Sequence, residues 1–256
     1  MTVPASSPTL VAIASGKGGV GKTWFAITLA QALAQAGRRV LLFDGDLGLA
    51  NVDVQLGMTP DHDLGEVVSH RRTLRDAVTR HPEGGFDVLP GRSGSGALAA
   101  LEPQALDAVL ATLRTEAASY DVVLLDLGAG VERAVRRMAA SADILLVIAT
   151  DEPTSLTDAY AVLKLHAADR PDGDARVVIN LAPNRTAGER TFATLRRACL
   201  TFLRKEPLLA GIVRRDDRVR DAIRRQTPLL TRHPASPAAM DVEAAARSLT
   251  RRATAA

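Results

Sequence analysis

The amino-acid sequence predicts an α/β protein: a doubly wound, mostly parallel sheet with helices on both faces. Three observations predict it. Short apolar runs alternate with longer amphipathic stretches, the runs are near-continuous in Val, Ile and Leu, and a glycine-rich loop follows the first of them. A strand buried on both faces of a parallel sheet has no polar alternation, because both of its sides meet apolar helices. Alternating strand and helix signals then imply βαβ units.

The runs, in order, are Leu10–Ser15, Val40–Asp44, Phe86–Pro90, Val122–Asp126, Ile144–Thr150, Val177–Leu181 and Leu208–Val213. Seven runs make a large sheet, and one of them is expected to be antiparallel. Helical signals fill the intervals. Phe25, Leu29 and Leu33 recur at every fourth position after the first run. Leu156 and Leu163 do so after Pro153, which suits a first helical turn behind Asp151. The tail after Pro237 reads as one helix, about 238–252. No internal repeat and no second domain is visible. Residues 1–9 read as a disordered leader and 10–256 as one domain, with SGSG at Ser93–Gly96 a short loop inside it.

Composition excludes several classes. With 256 residues and 46% hydrophobic content the chain buries a sizeable core. Aromatics are 3%, too few for a stacking surface on single-stranded nucleic acid. One cysteine, Cys199, excludes an internal disulfide framework and a CxxC zinc cluster; its apolar neighbours place it in the core. The five histidines show no metal-ligand spacing. The leader MTVPASSPT lacks a charged start and an apolar core, so it does not read as a signal peptide. Ile144–Ala149 is far too short to span a bilayer. A cytoplasmic protein is expected, with a peripheral position at the inner face of the plasma membrane as the variant.

The net charge of +3 hides an asymmetry. Residues 1–184 hold 16 Lys+Arg against 22 Asp+Glu, whereas residues 185–256 hold 16 against 7. The basic C-terminal third is either a solvated arginine-rich surface or a face for an anionic partner.

After the first run comes SGKGGVGKT, Ser15 to Thr23, which fits G-x-x-x-x-G-K-[ST] between a strand and a helix. Gly16, Lys17, Gly18, Gly19, Val20 and Gly21 let the backbone curl so that successive N–H groups point at phosphate oxygens. The helix that starts near Lys22 adds its positive end. Lys22 reaches the β- and γ-phosphates, and the Thr23 hydroxyl ligates Mg²⁺. Lys17 is unusual: two of the chain's four lysines lie in this one loop. It is a solvated loop residue or it serves extra negative charge, such as a nucleotide on another subunit.

KGGVGKT, Lys17 to Thr23, resembles the deviant Walker A loop of the MinD/ParA family of dimerising ATPases, and the fold is then MinD-like. The resemblance implies ATP and Mg²⁺ as cofactors, ATP hydrolysis, and a homodimer formed on ATP binding. It implies that Lys17 crosses the dimer interface to the partner's nucleotide.

The second run ends in Asp44 and Asp46, at strand ends beside the loop. Carboxylates there hold Mg²⁺ through water or orient an attacking water; by themselves they also fit an Asp/Gly turn. By the resemblance, Asp44 lies near the metal and Asp46 positions the hydrolytic water. The fourth run ends in Asp126, a Walker B arrangement acting on the Mg²⁺ shell, with Gly130 offering a backbone N–H near the γ-phosphate. Leu127, Gly128 and the Asp-Gly-Asp spelling depart from the family pattern. Asn180, ending the sixth run, presents its amide to a purine edge or caps a turn; the family uses such a residue for adenine. Where relatives carry an Ile-Pro-x-Asp turn beside the base, this chain has GIVRRDD, Gly211 to Asp217.

Asp46–Gly57, Glu152–Lys164 and Arg218–Pro237 further resemble the flagellar-number ATPases of the FlhG/FleN type. That likeness implies control of flagellar number and placement, with the flagellar GTPase FlhF and flagellar switch proteins as partners. The leader carries no Asp-Gln-Ala-type activator segment, so stimulation of FlhF is not expected. The tail VEAAARSLTRRATAA is mostly alanine, so a membrane helix there would bind anionic lipid only weakly. The rival reading is a partition or positioning ATPase of the ParA/MinD type that binds membrane or, through Arg218, Arg220, Arg224 and Arg225, non-specific DNA. A nucleotide-binding scaffold without hydrolysis and a metabolic kinase fit less well. The three aspartates argue against the first, and Lys17 would be idle in the second.

Overall fold

The computed structural model describes residues 8–46, 48–91 and 103–250. The leader up to residue 7 and the SGSG loop lie outside them.

Each of the seven apolar runs forms a strand. In chain order the strands are β1 (Thr9–Ser15), β2 (Val40–Gly45), β3 (Thr79–His81), β4 (Phe86–Leu89), β5 (Val122–Ala129), β6 (Ile144–Ala149), β7 (Asp174–Ala182) and β8 (Leu208–Arg214). They build one eight-stranded sheet in the order β3-β4-β2-β5-β1-β6-β7-β8. The seven run-derived strands are mutually parallel, so the expected antiparallel member is not among them. The antiparallel strand is the eighth, β3, paired with β4. Its three residues, Thr79, Arg80 and His81, are polar and too short to register as an apolar run. It is fixed by the ladder and by the His81 ring stacked on Phe86 at 5.4 Å.

The helices are α1 (Lys22–Gln35), α2 (Val52–Leu56), α3 (Leu64–Val68), α4 (Leu74–Ala77), α5 (Pro103–Glu116), α6 (Arg133–Ser141), α7 (Pro153–Asp169), α8 (Arg185–Ala198), α9 (Asp217–Arg224), α10 (Leu229–Arg232) and α11 (Pro237–Thr250). They cover both faces. Phe25, Leu29, Leu33, Leu229 and Val242 share one core with Val11 and Ile13 of β1. Leu113, Met138, Leu163 and Leu195 share the other with Leu10, Ala12 and Ala14. Alternate residues of one strand thus feed opposite cores, which is why no polar position appears along it. Each buried Leu or Ile contributes about 1.5–3 kcal/mol relative to exposure.

Pro153 opens α7 as expected, although the flanking cap is Glu152 rather than Asp151. The tail helix runs Pro237–Thr250, close to the expected 238–252. It packs against β8 and α1. Ala238, Ala239, Val242, Ala245 and Ala246 are buried there, so the apolar side a lipid surface would take is already covered. The alanines are needed for closeness: a Cβ on Gly211 of β8 would stand 3.1 Å from the Ala245 Cβ. Cys199 is buried in a short π-helical turn, Cys199–Leu203, and burial pushes its thiol up to about 11. No helix among the described residues is long and apolar enough to cross a membrane.

In open α/β sheets the ligand crevice lies at the carboxyl ends of the strands. Here that end of β1, between β5 and β6, carries the glycine loop.

Candidate nucleotide-binding site

The loop from Gly16 to Gly21 joins β1 to α1. Gly21 caps the helix in the left-handed region, φ 89°, with no side-chain cap on the first turn. Its position excludes a side chain twice over, by φ and by space: a Cβ there would stand 2.6 Å from Asn180 Nδ2 and overlap the Trp24 indole. The first turn of α1 also holds no acidic residue. Its N–H groups and positive helix end are left for an anion. Gly16 is small for another reason: a Cβ would stand 2.6 Å from the Asp158 carbonyl carbon of α7. The Ser15 hydroxyl donates to the Lys17 carbonyl at 2.6 Å and tightens the turn.

Asn180 sits at the end of β7, fully buried. Its Nδ2 donates to the Val20 carbonyl at 2.7 Å, and its Oδ1 accepts the Leu181 N–H at 2.9 Å. Of the two readings of this residue, a base reader or a turn residue, the geometry is that of a brace: the side chain holds the phosphate loop from behind.

Parallel register sets Asp44 of β2 directly beside Asp126 of β5. Asp126 is 2% exposed. Burial pushes its carboxyl up to about 7 and Asp44 adds to the rise, while the Thr23 hydroxyl bond and Lys22 oppose it. Asp126 Oδ1 has no hydrogen-bond partner among the described residues. Asp44, 1% exposed, is likewise raised by burial, to about 6. Its Oδ2 accepts the Asn51 and Val52 N–H groups at 2.8 and 3.0 Å, and Oδ1 accepts the Asp46 N–H at 3.2 Å. Asp44 therefore holds Asp46, Asn51 and Val52 rather than standing open like Asp126. Asp46 accepts the Gly48 and Leu49 N–H groups. It lies against Gly128, whose added Cβ would be 3.4 Å from its carboxyl carbon. Burial lowers the Lys22 ammonium from its ordinary value, while Asp126 and Asp46 pull it back up.

Among the described residues no three His, Cys, Asp or Glu side chains are placed to chelate a metal by themselves. The donor set still suits Mg²⁺, which takes one or two protein oxygens and completes its shell with phosphate and water. The orphaned Asp126 oxygen beside the Thr23 hydroxyl is the acceptor such an ion needs.

Lys17 and Lys22 have different partners. Its Nζ pairs with Glu152 at 2.5 Å and with the Thr154 hydroxyl at 3.1 Å, at the start of α7. Glu152 and Thr154 contact the loop lysine and were not among the candidate site residues read from the sequence. Their signal was a glutamate and a threonine around a helix-opening proline at the carboxyl end of a central strand. The Gly130 N–H, expected near a γ-phosphate, donates to the Ser15 carbonyl at 2.9 Å. The GIVRRDD segment is consumed structurally: Arg214 pairs with Asp241 at 2.8 Å, and Asp216 caps α9.

The strand–loop–helix with its lysine, hydroxyl and strand-end carboxylates defines a P-loop nucleotide-binding protein. Residues 11–229 match the CobQ/CobB/MinD/ParA nucleotide binding domain family. The chain belongs to that family, and it is an ATPase of the MinD/ParA kind. It is 37% identical to the antiactivator FleN of Pseudomonas aeruginosa, over 94% of this chain and 85% of that protein. It is 32% identical to the septum site-determining protein MinD of Bacillus subtilis, over 68% of this chain and 65% of that protein. The fold superposes on the cell-division ATPase MinD of Pyrococcus furiosus with a TM-score of 0.79 at 24% identity, covering 94% of this chain and 98% of that one.

Proposed function

We propose that the protein is an ATP-driven dimerising switch that restrains flagellar number and placement. The likeness to FleN over nearly the whole chain supports the flagellar part. FlhF and flagellar switch proteins are the proposed partners. The single observation that carries the switch is Lys17. The loop already has Lys22 for the phosphates in cis, and the second lysine is parked on an exposed ion pair with Glu152. Exposed pairs of this kind contribute only about 0–1 kcal/mol, so the ammonium exchanges partners at little cost. In the dimer it meets the phosphates bound by the other protomer.

The remaining residues take roles that fit their geometry. The loop N–H groups and Lys22 hold the phosphates. Thr23 and Asp126 hold Mg²⁺, which when bound supplies positive charge against the phosphate oxygens. Asp46, facing Gly128 across the mouth of the site, orients the attacking water, and Asp44 keeps that segment in place. Asn180 fixes the loop from behind, and its amide, spent on Val20 and Leu181, is not the adenine reader the resemblance implied. Hydrolysis splits off the terminal phosphate, and its departure takes the shared charge away and releases the dimer.

The test is light scattering and phosphate release with saturating ATP and Mg²⁺. The Asp46→Ala protein should form dimers and stop turning over; adding Lys17→Ala should leave monomers. Dimers that persist without Lys17 refute the trans contact. Flagellar counts in cells carrying Asp46→Ala test the biological part: unchanged counts refute it.

One observation favours a second reading, a partition-type ATPase on DNA. Arg218, Arg220, Arg224 and Arg225 are all exposed around α9. Binding to duplex DNA that requires ATP and weakens steeply with salt would favour it.

A further inference from the structure

We propose that Trp24 is a nucleotide-binding residue: its indole N–H donates to an oxygen of the α-phosphate, the phosphate next to the sugar. The proposal rests on the nucleotide site described above and not on the dimer. Trp24 is the chain's one tryptophan, and it stands in the first turn of α1, directly after Thr23. Its side chain is 7% exposed and shares a core with Val219, Ala222 and Leu229. The ring meets Phe25 edge-on, with centroids 6.4 Å apart. Packing of this kind holds the indole in one orientation.

The one polar atom of that ring comes out at the phosphate loop. A Cβ added to Gly21 would stand 2.4 Å from Trp24 Nε1 and 2.6 Å from Asn180 Nδ2, so the N–H edge lies against the last residue of the loop. Asn180 Nδ2 is itself a donor, already given to the Val20 carbonyl, and takes no proton from the indole. No group among the described residues accepts the indole N–H, and the first turn of α1 holds no carboxylate. The nitrogen is unpaired without being sealed, so it opens to solvent. A buried indole ordinarily finds a partner for its N–H, and an anion at a helix N-terminus supplies one.

The sheet order selects the phosphate. The Thr23 hydroxyl bonds Asp126 of β5, which flanks β1 on one side; that is the side of the magnesium and the terminal phosphate. Asn180, beside the Trp24 N–H, belongs to β7, on the other side of β1. The indole therefore meets the phosphate farthest from the metal, and it serves ADP and ATP alike.

The test uses the full chain, with ADP and Mg²⁺ as the probe. In tryptophan-¹⁵N-labelled protein the single indole N–H signal should move downfield saturably and exchange with water more slowly. Adenosine, which has no phosphate, should leave it in place. Replacing the tryptophan by its sulfur analogue, benzothienylalanine, removes only the N–H. Affinity for ADP and for ATP should each fall about fivefold by calorimetry, with the melting temperature of the free protein unchanged. Trp24→Phe should weaken both at least as much; if that variant loses its far-ultraviolet dichroism, the sulfur analogue decides. ADP binding with an unmoved indole signal overturns the contact, as does unchanged affinity in the analogue. A shift with adenosine, or a loss confined to ATP, overturns the α-phosphate assignment. Absence of any heat with ADP overturns the nucleotide site and this contact with it.

Discussion

Two places where polar groups gather on this sheet are finished in opposite ways. At the carboxyl end of β1 and β5, polar capacity is left over: α1 has no side-chain cap, and Asp126 Oδ1 has no partner among the described residues. Where β8 meets α11, the polar groups are spent on each other. Arg214 reaches Asp241 through Nε and Nη2, its N–H goes to the same carboxylate, and Asp216 accepts the Arg218 and Ala238 N–H groups. Leaving a buried acceptor unpaired costs about 1–3 kcal/mol, so it persists where a ligand completes it. Groups that complete one another hold the fold.

The largest effect should come from Asp126→Ala. Steady-state ATP turnover should fall at least about a hundredfold, because the magnesium loses an anchor. The melting temperature of the ligand-free protein should not fall; a marked loss of stability would make Asp126 a structural group and erase the contrast. Asp241→Ala should do the reverse. It strips a half-buried guanidinium of its partner and should cost about 2 kcal/mol in denaturant unfolding, with nucleotide affinity unchanged. Reduced affinity in that variant would mean the two regions are not separable.

The pH dependence sharpens the same comparison. Asp44 and Asp126 have folded-state values of about 6 and about 7, above the ordinary carboxylate range, with burial as the first cause. The native state therefore holds protons that the unfolded chain has released. Stability of the ligand-free protein should decline as pH rises from about 4 to 7, with a slope of at most about 1.4 kcal/mol per pH unit for each of the two carboxyls. Magnesium and ATP should flatten that decline by pairing the ionised form. A thermal melt series across pH, with and without both, checks it. The smallest effect belongs to Glu152→Gln. Freeing Lys17 from an exposed pair should raise ATP-dependent dimer affinity about two- to fivefold, read by sedimentation.

Much of this was legible in the sequence. The seven apolar runs located seven strands, because doubly buried strands cannot hide polar residues. The phosphate loop was legible because its spacing is tied to a backbone shape, of which the left-handed Gly21 is one part. What stayed hidden either lacks an apolar signal or depends on contacts far apart in the chain. β3 is local but polar: the ladder, the Arg80–Asp87 pair and the His81–Phe86 stack hold it with no apolar run to mark it. The brace from Asn180 to Val20 joins residues 160 positions apart, and the Lys17–Glu152 pair joins residues 135 apart. No local pattern encodes a partner at that distance. The tail helix was read as a weak lipid binder from its alanines, but the packing reason for them was not legible: they are small so that α11 can lie close on β8.

The hydrogen bond from Gly130 to the Ser15 carbonyl ties the end of β5 to the root of the glycine loop. One amide proton cannot serve that carbonyl and a terminal phosphate together. Deuterium uptake at this single peptide group should therefore be slow while the strand ends stay clasped, and a change on adding ATP and magnesium would report that they part.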